Sequence, residues 1–577
     1  MTRRRPSGIL LGLALAAGCG RSAESPGRER PAAGGALGVS FVDRWQEAGI
    51  RFHHTDGSSG KHYIVETLAS GVLLLDFDED ADLDIYFVNG RPLPPSPQGN
   101  AAAQNALYRQ DAAGKFTDVT VEKAIPGTGF GSGGAAGDYD GDGDLDVYVC
   151  QYGPNALYRQ NGKEAGYTFT EVIKEAGCDD PRFSAGASFF DMDRDGDLDL
   201  YVTNYCQEDF KSEVPCKEGK VYRYCAPNYY QPQGDSLFRN LGNGKFEDLT
   251  ASSGIAAVPP GRGMGIVATD FNRDGWIDIY VANDGSENFL LKNLGNGKFA
   301  DVAGDLGVAL SANGDEQGSM GVDAGDYDRD GRLDLIVTNY QKQLNALYHW
   351  ERDDLYLDLA MARGLGETSL PMVKWGTKFF DFDHDAWLDL FVANGHLEEH
   401  IHEYDQSSSY RQQSQLFRNQ GGGVFKEVTG TAGPGLDQRF SSRGAAFGDL
   451  DNDGDIDIVV ANSRERPSLL YNEGGNRGSW VMLELRGRRN RFAVGAFVRV
   501  TAGGITQVAE VHAGASYVSQ NDLRLHFGLA GAEAVDRVEV QWQEGLRETF
   551  EKLPARKVHR LVEGTGQAAA KLWFSPE

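Results

Sequence analysis

The chain has 577 residues, 40% of them hydrophobic, which is more than one ordinary domain needs and ample for a core. Its formal charge of −28 excludes a nucleic-acid partner, whose phosphates would be repelled. Glycine stands at 74 residues, which fits many tight turns between short strands.

Residues 1–18 read as an export signal: Arg3-Arg-Arg5 precedes the apolar run Ile9 to Ala17, too short to span a bilayer. Leu15-Ala-Ala-Gly-Cys19 resembles a bacterial lipobox, whose Cys19 is lipidated after cleavage; Gly20 rather than Asp implies outer-membrane sorting. Residues 19–38, rich in Gly, Ala, Pro, Ser and Arg, read as a disordered tether. The expectation is an exported lipoprotein that meets the membrane only through its N-terminal lipid. Export permits disulfides. Cys206, Cys216 and Cys225 lie close enough in sequence for one local bridge, with the partners open, as are those of Cys150 and Cys178.

Seven acidic nonapeptides dominate the remainder of the chain up to about residue 460, their starts 53 to 79 residues apart. Each places oxygen ligands at positions 1, 3, 5 and 9. These are Asp76, Asp78, Asp80 and Asp84; Asp138, Asp140, Asp142 and Asp146; Asp191, Asp193, Asp195 and Asp199; Asp270, Asn272, Asp274 and Asp278. The last three sets are Asp326, Asp328, Asp330 and Asp334; Asp381, Asp383, Asp385 and Asp389; Asp449, Asp451, Asp453 and Asp457. Such dense hard oxygen donors suit Ca²⁺, with up to seven ions per chain. Seven would halve the formal charge from −28 to −14. An EF-hand needs a glutamate at position 12, where this chain has Phe87, Val149, Val202, Val281, Val337, Val392 and Val460. The loops therefore lead into strands. Position 6 favours glycine, so Ala81 and Ala386 predict weaker calcium binding in the loops starting at Asp76 and Asp381. The remaining glycines read as turn residues.

A hairpin phrase alternates with the loops, as in Ser236-Leu-Phe-Arg-Asn240 and then Gly244-Lys-Phe-Glu-Asp-Leu-Thr250. One loop with its strands and one hairpin make a four-stranded blade. After the seventh loop the final piece is missing, and Phe41-Val-Asp43 at the start of the chain supplies it. Residues 39–475 thus read as a closed seven-bladed β-propeller. Residues 476–565 alternate apolar and polar in at least five strands, a small β-sandwich-like domain, with 566–577 as a tail. The fold class is all-β.

These repeats resemble the FG-GAP/VCBS repeats of integrin-α-type propellers. The stretch from Arg477 through His512-Ala-Gly-Ala-Ser-Tyr517 to Leu529 resembles an ASPIC/UnbV domain. The tandem is similar to bacterial relatives of cartilage acidic protein. His54, Glu66 and His396 match positions that recur in that family, and together could form a second, transition-metal or polar-ligand site. No Ser-His-Asp context, P-loop or Rossmann fingerprint stands out. The leading reading is a non-enzymatic, calcium-binding envelope lipoprotein that recognises a protein or glycan ligand. The alternative is an envelope enzyme using a metal at the propeller opening.

Overall fold

The structure, a computed structural model, describes residues 38–569 except 69, 94–102, 113, 128, 211–215 and 352–354. The export signal, Cys19, most of the tether and residues 570–577 lie outside the described residues. No helix among the described residues is long and apolar enough to cross a membrane.

Among the described residues, seven four-stranded antiparallel units succeed one another along the chain, the fourth and fifth sharing one sheet. Their first strands are Val72–Leu75, Phe130–Gly137, Ser184–Phe190, Gly263–Thr269, Gln317–Gly325, Lys374–Phe380 and Ser442–Gly448. Each passes through one acidic loop into a second strand, such as Asp146–Tyr152, which is buried on both faces from Asp146 to Gln151. Each first strand packs beside that of the next unit, and the last beside the first. Fourth and fifth units are also joined by pairing of Asp284 with Gly318 and Ser286 with Gln317.

The seventh unit takes its outer strand from the start of the chain: Ser40–Asp43 pairs antiparallel with Ser468–Glu473. Phe41 opposes Asn472 there, as Phe116 opposes Gln110 and Phe246 opposes Asn240 elsewhere. The three phenylalanines fill equivalent buried positions.

Glycine recurs at the first strand of every unit, five residues before the loop: Gly71, Gly133, Gly186, Gly265, Gly321, Gly376 and Gly444. These are not turn residues, contrary to the expectation that the glycines fall in turns. They let neighbouring backbones touch. A Cβ on Gly321 would stand 2.2 Å from the Trp375 carbonyl oxygen, on Gly265 2.3 Å from that of Met320, and on Gly444 2.5 Å from that of Ser70. The glycines narrow the axis around which the units turn.

What fills that axis comes from the C-terminal part. Residues 512–522 run among the first strands and exchange hydrogen bonds with them. Gln520 bonds Val72 and Leu74, Ser516 bonds Val322 in both directions, Ala513 O accepts from Phe189, and Asp522 N–H reaches Phe447 O. Ser516 Oγ also accepts from Thr377 N–H at 3.0 Å. Ser516 and Val518 hold φ of 63° and 46°, strained angles for non-glycine residues that this web of contacts imposes. Tyr517 is wholly buried; its hydroxyl donates to Leu68 O at 3.0 Å and its ring meets Trp375 edge-on at 4.9 Å.

The C-terminal module holds two sheets around one apolar core that includes Leu483, Val498, Phe527 and Val538. In the first, Trp480–Arg486 pairs antiparallel with Leu525–Gly528 and parallel with Lys557–Val562. The second sheet ends with Gln567–Ala568 on Arg547–Pro554, so the module runs past residue 565 into the expected tail. Cys216 and Cys225 form a disulfide, while Cys150, Cys178 and Cys206 are buried and free.

Gly321→Ala tests the close approach at the axis. Overpacking of this kind costs roughly 1–3 kcal/mol, and denaturant unfolding in calcium should register that loss. An unchanged midpoint would mean that the strands spread without cost.

Candidate metal centres and ligand cavity

All seven acidic loops join a first strand to a second, so they share one face. Each is folded by its own aspartates. The position-1 carboxylate accepts the N–H of position 6 at 2.8–3.1 Å. Position 5 accepts the N–H of position 7. Position 6 is left-handed throughout, with φ of 72° and 67° at Ala81 and Ala386. Position 4 is left-handed as well, from Asn452 at 56° to Arg194 and Arg329 at 62° among the non-glycine residues.

Position 9 is the anchor. Asp84, Asp146, Asp199, Asp278, Asp334, Asp389 and Asp457 are all buried. One oxygen of each accepts a backbone N–H from the third strand at 2.7–2.9 Å. In five loops the other accepts the N–H of position 2. The same third strands reach back to the preceding loop. Gln160, Asn240, Asn293, Asn419 and Asn472 donate side-chain N–H groups to carbonyls of Phe77, Tyr139, Met192, Tyr327 and Phe382 at 2.6–2.9 Å.

The donor set fits a cation. Carboxylate oxygens of positions 1, 3 and 9 lie within 4.8 Å of one another in the first, second, third and fifth loops. Buried oxygens without a hydrogen-bond partner recur at position 3, on Asp78, Asp140, Asp193, Asp383 and Asp451, and at position 1 on Asp138 and Asp326. Unpaired buried carboxylates are costly. Burial, with repulsion from neighbouring aspartates, pushes Asp76 up to about 6 and Asp138, Asp191 and Asp449 up to about 7. A hard divalent cation held by these oxygens would remove both penalties.

Charged side chains from outside the loops also reach them: Lys292 lies 3.7 Å from Asp274 in the fourth loop and Arg44 3.7 Å from Asp451 in the seventh, and two others come closer. Arg418 binds Asp383 at 2.6 Å and Asp385 at 2.9 Å, so a guanidinium competes with any cation in the sixth loop. His349 joins the fifth, 3.0 Å from Asp334 and grouped with Asp328 and Asp330. Sequence reasoning missed both. The signal was available: third strands carry Arg109, Arg159, Arg239, Lys292 and Arg418 in one register, and His349 occupies it in the fifth unit.

The C-terminal module covers this loop face. Arg491 pairs with Glu79, Arg489 donates to Asp195 O, and Trp480 packs against Gly454. His384 of the sixth loop lies 4.8 Å from His526 of the module.

The opposite face opens into a cavity of about 450 Å³. Its walls come from residues 56–66, the disulfide-bridged insertion at 220–224, residues 397–410, and Arg443 with Arg464. Glu66 lies on this wall, its carboxylate accepting from Ser59 and from the Tyr224 hydroxyl at 3.0 Å. His54 and His396 are buried and are not among the residues lining it. His396 uses both ring nitrogens: Nδ1 accepts the N–H of Glu398 at 2.9 Å and Nε2 lies 3.1 Å from Gln341 Oε1. His54 Nδ1 accepts from Arg464 N–H at 3.1 Å, and its Nε2 has no partner. The three residues gathered from the sequence therefore do not offer one set of free donor atoms to a metal. Asn89, Asn204, Asn283, Asn339, Asn394 and Asn462, at or near the ends of the second strands, donate side-chain N–H groups to carbonyls of the succeeding loops.

The loops generate two measurements. Ala81→Gly relieves a left-handed alanine and should raise stability in saturating calcium by about 1 kcal/mol, read by denaturant unfolding; a loss would show that the angle is unstrained. In EDTA the folded chain binds protons more tightly than the unfolded one, because these carboxyls rise from 3.8 to about 6 or 7. Stability without calcium should therefore fall as pH rises from about 4 to about 7, and excess calcium should reverse the trend. A melting temperature in EDTA that climbs across that window would contradict the assignment.

The FG-GAP-like repeat family matches residues 76–149, 138–202, 219–281, 270–337 and 381–460, and the ASPIC and UnbV family matches 486–568. Cartilage acidic protein 1 of Mus musculus is 25% identical over 498 residues, spanning 82% of this chain and 70% of that protein. The Homo sapiens protein is 25% identical over 501 residues, covering 82% and 69%. Among solved structures, the BP39L lectin from Burkholderia pseudomallei superposes with a TM-score of 0.42 at 9% identity, over 70% of this chain and 95% of its own. The chain belongs to the FG-GAP-like repeat proteins of β-propeller type and carries an ASPIC and UnbV domain at its C-terminal end.

Proposed function

We propose that this protein is a closed seven-bladed propeller, stabilised by calcium in its loops and capped by a β-sandwich-like C-terminal domain. It acts as a non-enzymatic binding scaffold on the cell envelope. Cys19 anchors it through lipid, with the outer membrane as its destination, and a protein or glycan is its ligand. The observation that carries this reading is the division of labour between two faces. The module occupies the face with the acidic loops, while the opposite face offers a cavity edged by polar and aromatic side chains. Rigid walls with a few directed polar groups suit ligand binding.

Calcium that binds only the folded state stabilises it by mass action. Melting should rise markedly between EDTA and millimolar calcium, and an unchanged melting temperature would sink the calcium role. Cys19→Ser should abolish lipid processing and release the chain from the membrane fraction; unaltered fractionation would refute the anchor. Stoichiometric copper, iron or zinc retained after mild calcium removal would favour an envelope enzyme instead.

A further inference from the structure

The cavity opposite the module has a built interior. Arg443 is only 2% exposed, yet it lines the cavity. Its Nε donates to Thr67 O, and its Nη1 to Gly395 O, Ser441 Oγ and Ser442 O. The guanidinium carbon sits 4.2 Å over the Trp375 ring. It is a fixed cation held by carbonyls and an aromatic face rather than by a carboxylate in those contacts. Three largely buried carboxylates, Asp56, Glu66 and Glu398, line the same cavity. Glu398 Oε1 accepts the Tyr224 N–H at 2.8 Å, and the Tyr224 hydroxyl binds Glu66, so one residue of the insertion ties two of these acids together. Tyr222, 53% exposed, stands at the rim.

We propose that this cavity binds an uncharged saccharide, with a pyranose ring seated between the carboxylates and Arg443. The inference deepens the binding-scaffold reading and rests on it. A sugar hydroxyl donates one hydrogen bond and accepts others, so a ring of hydroxyls needs fixed acceptors and donors interspersed. The three acids supply the first; Arg443 supplies the second, with Arg464, which also pairs with Glu399 at 3.0 Å and lies 3.8 Å from Asp56. A small anion would meet the acids at close range, and a small cation would meet Arg443, so the mixed walls disfavour either ion. Tyr222, whose ring has Lys217 Nζ 4.2 Å from its centroid on one side, gives its other side as a flat apolar surface for the C–H face of a ring, with a polar tip towards water. A volume of about 450 Å³ lies in the range of small-ligand sites.

The test is saturation-transfer NMR and calorimetry on the full chain in calcium, with glucose, galactose, mannose and N-acetylglucosamine as probes. N-acetylneuraminate and putrescine serve as charged comparators. At least one neutral sugar should bind with a Kd below about 10 mM. Glu398→Gln and Tyr222→Ala should each weaken it about tenfold or more, with melting temperatures like that of the parent. Tyr222 is exposed, so its variant keeps the test valid if a buried change disturbs folding. No neutral sugar binding, tighter binding of either charged comparator, or unchanged affinity in both variants would overturn the proposal. Calcium-dependent melting and envelope fractionation judge the scaffold reading separately.

Discussion

Seven buried aspartates at the ninth loop position hold this architecture together. Each ties the turn of its own loop to the third strand of its own sheet. In five of the units the neighbouring Asn or Gln then ties that strand to the loop before it. Loops and sheets thus form one hydrogen-bonded circuit whose nodes are carboxylates. A charged carboxylate buried beside two or three others is unstable by itself, and its proton affinity rises accordingly. Cation binding would resolve this conflict while keeping the carboxylates ionised and the circuit intact.

The second constraint lies on the axis. Glycine at one register of every first strand brings adjacent backbones into contact and leaves the centre narrow. Residues 512–522 occupy that centre and satisfy backbone groups of strands far apart in the chain. The C-terminal module is therefore built into the repeat array rather than appended to it. Its docking on the loop face leaves the other face to the 54–66 loop, the disulfide-bridged insertion and the 397–410 loop. The acidic loops and the cavity thus lie on opposite faces, and substitutions in one need not disturb the other.

Much of this was legible in the sequence wherever the signal is local. Acidic spacing identified the loops because their geometry is set within nine residues. The orphan phrase at Phe41 identified the closing strand because its partner phrase was missing after Asn472. Ala81 and Ala386 stood out because a left-handed position tolerates glycine best. Other features depend on partners remote in sequence. The glycines before each loop looked like turn residues, since nothing local says that a neighbouring backbone will approach within van der Waals contact. Residues 512–522 have no periodicity, and their contacts span from Val72 to Phe447. His54 and His396 looked like ligands on motif grounds; burial and backbone hydrogen bonds turn them inward behind the cavity wall.

Compensation of the buried carboxylates by cations is the central claim, and ion stoichiometry tests it most directly. Native mass spectrometry of the chain, purified in calcium and exchanged into ammonium acetate without chelator, counts the ions retained. Five loops have glycine at position 6 and two have alanine, so five tightly held calcium ions are predicted, with up to two more that leave readily. A folded chain that carries no calcium, or a single ion, would contradict the claim.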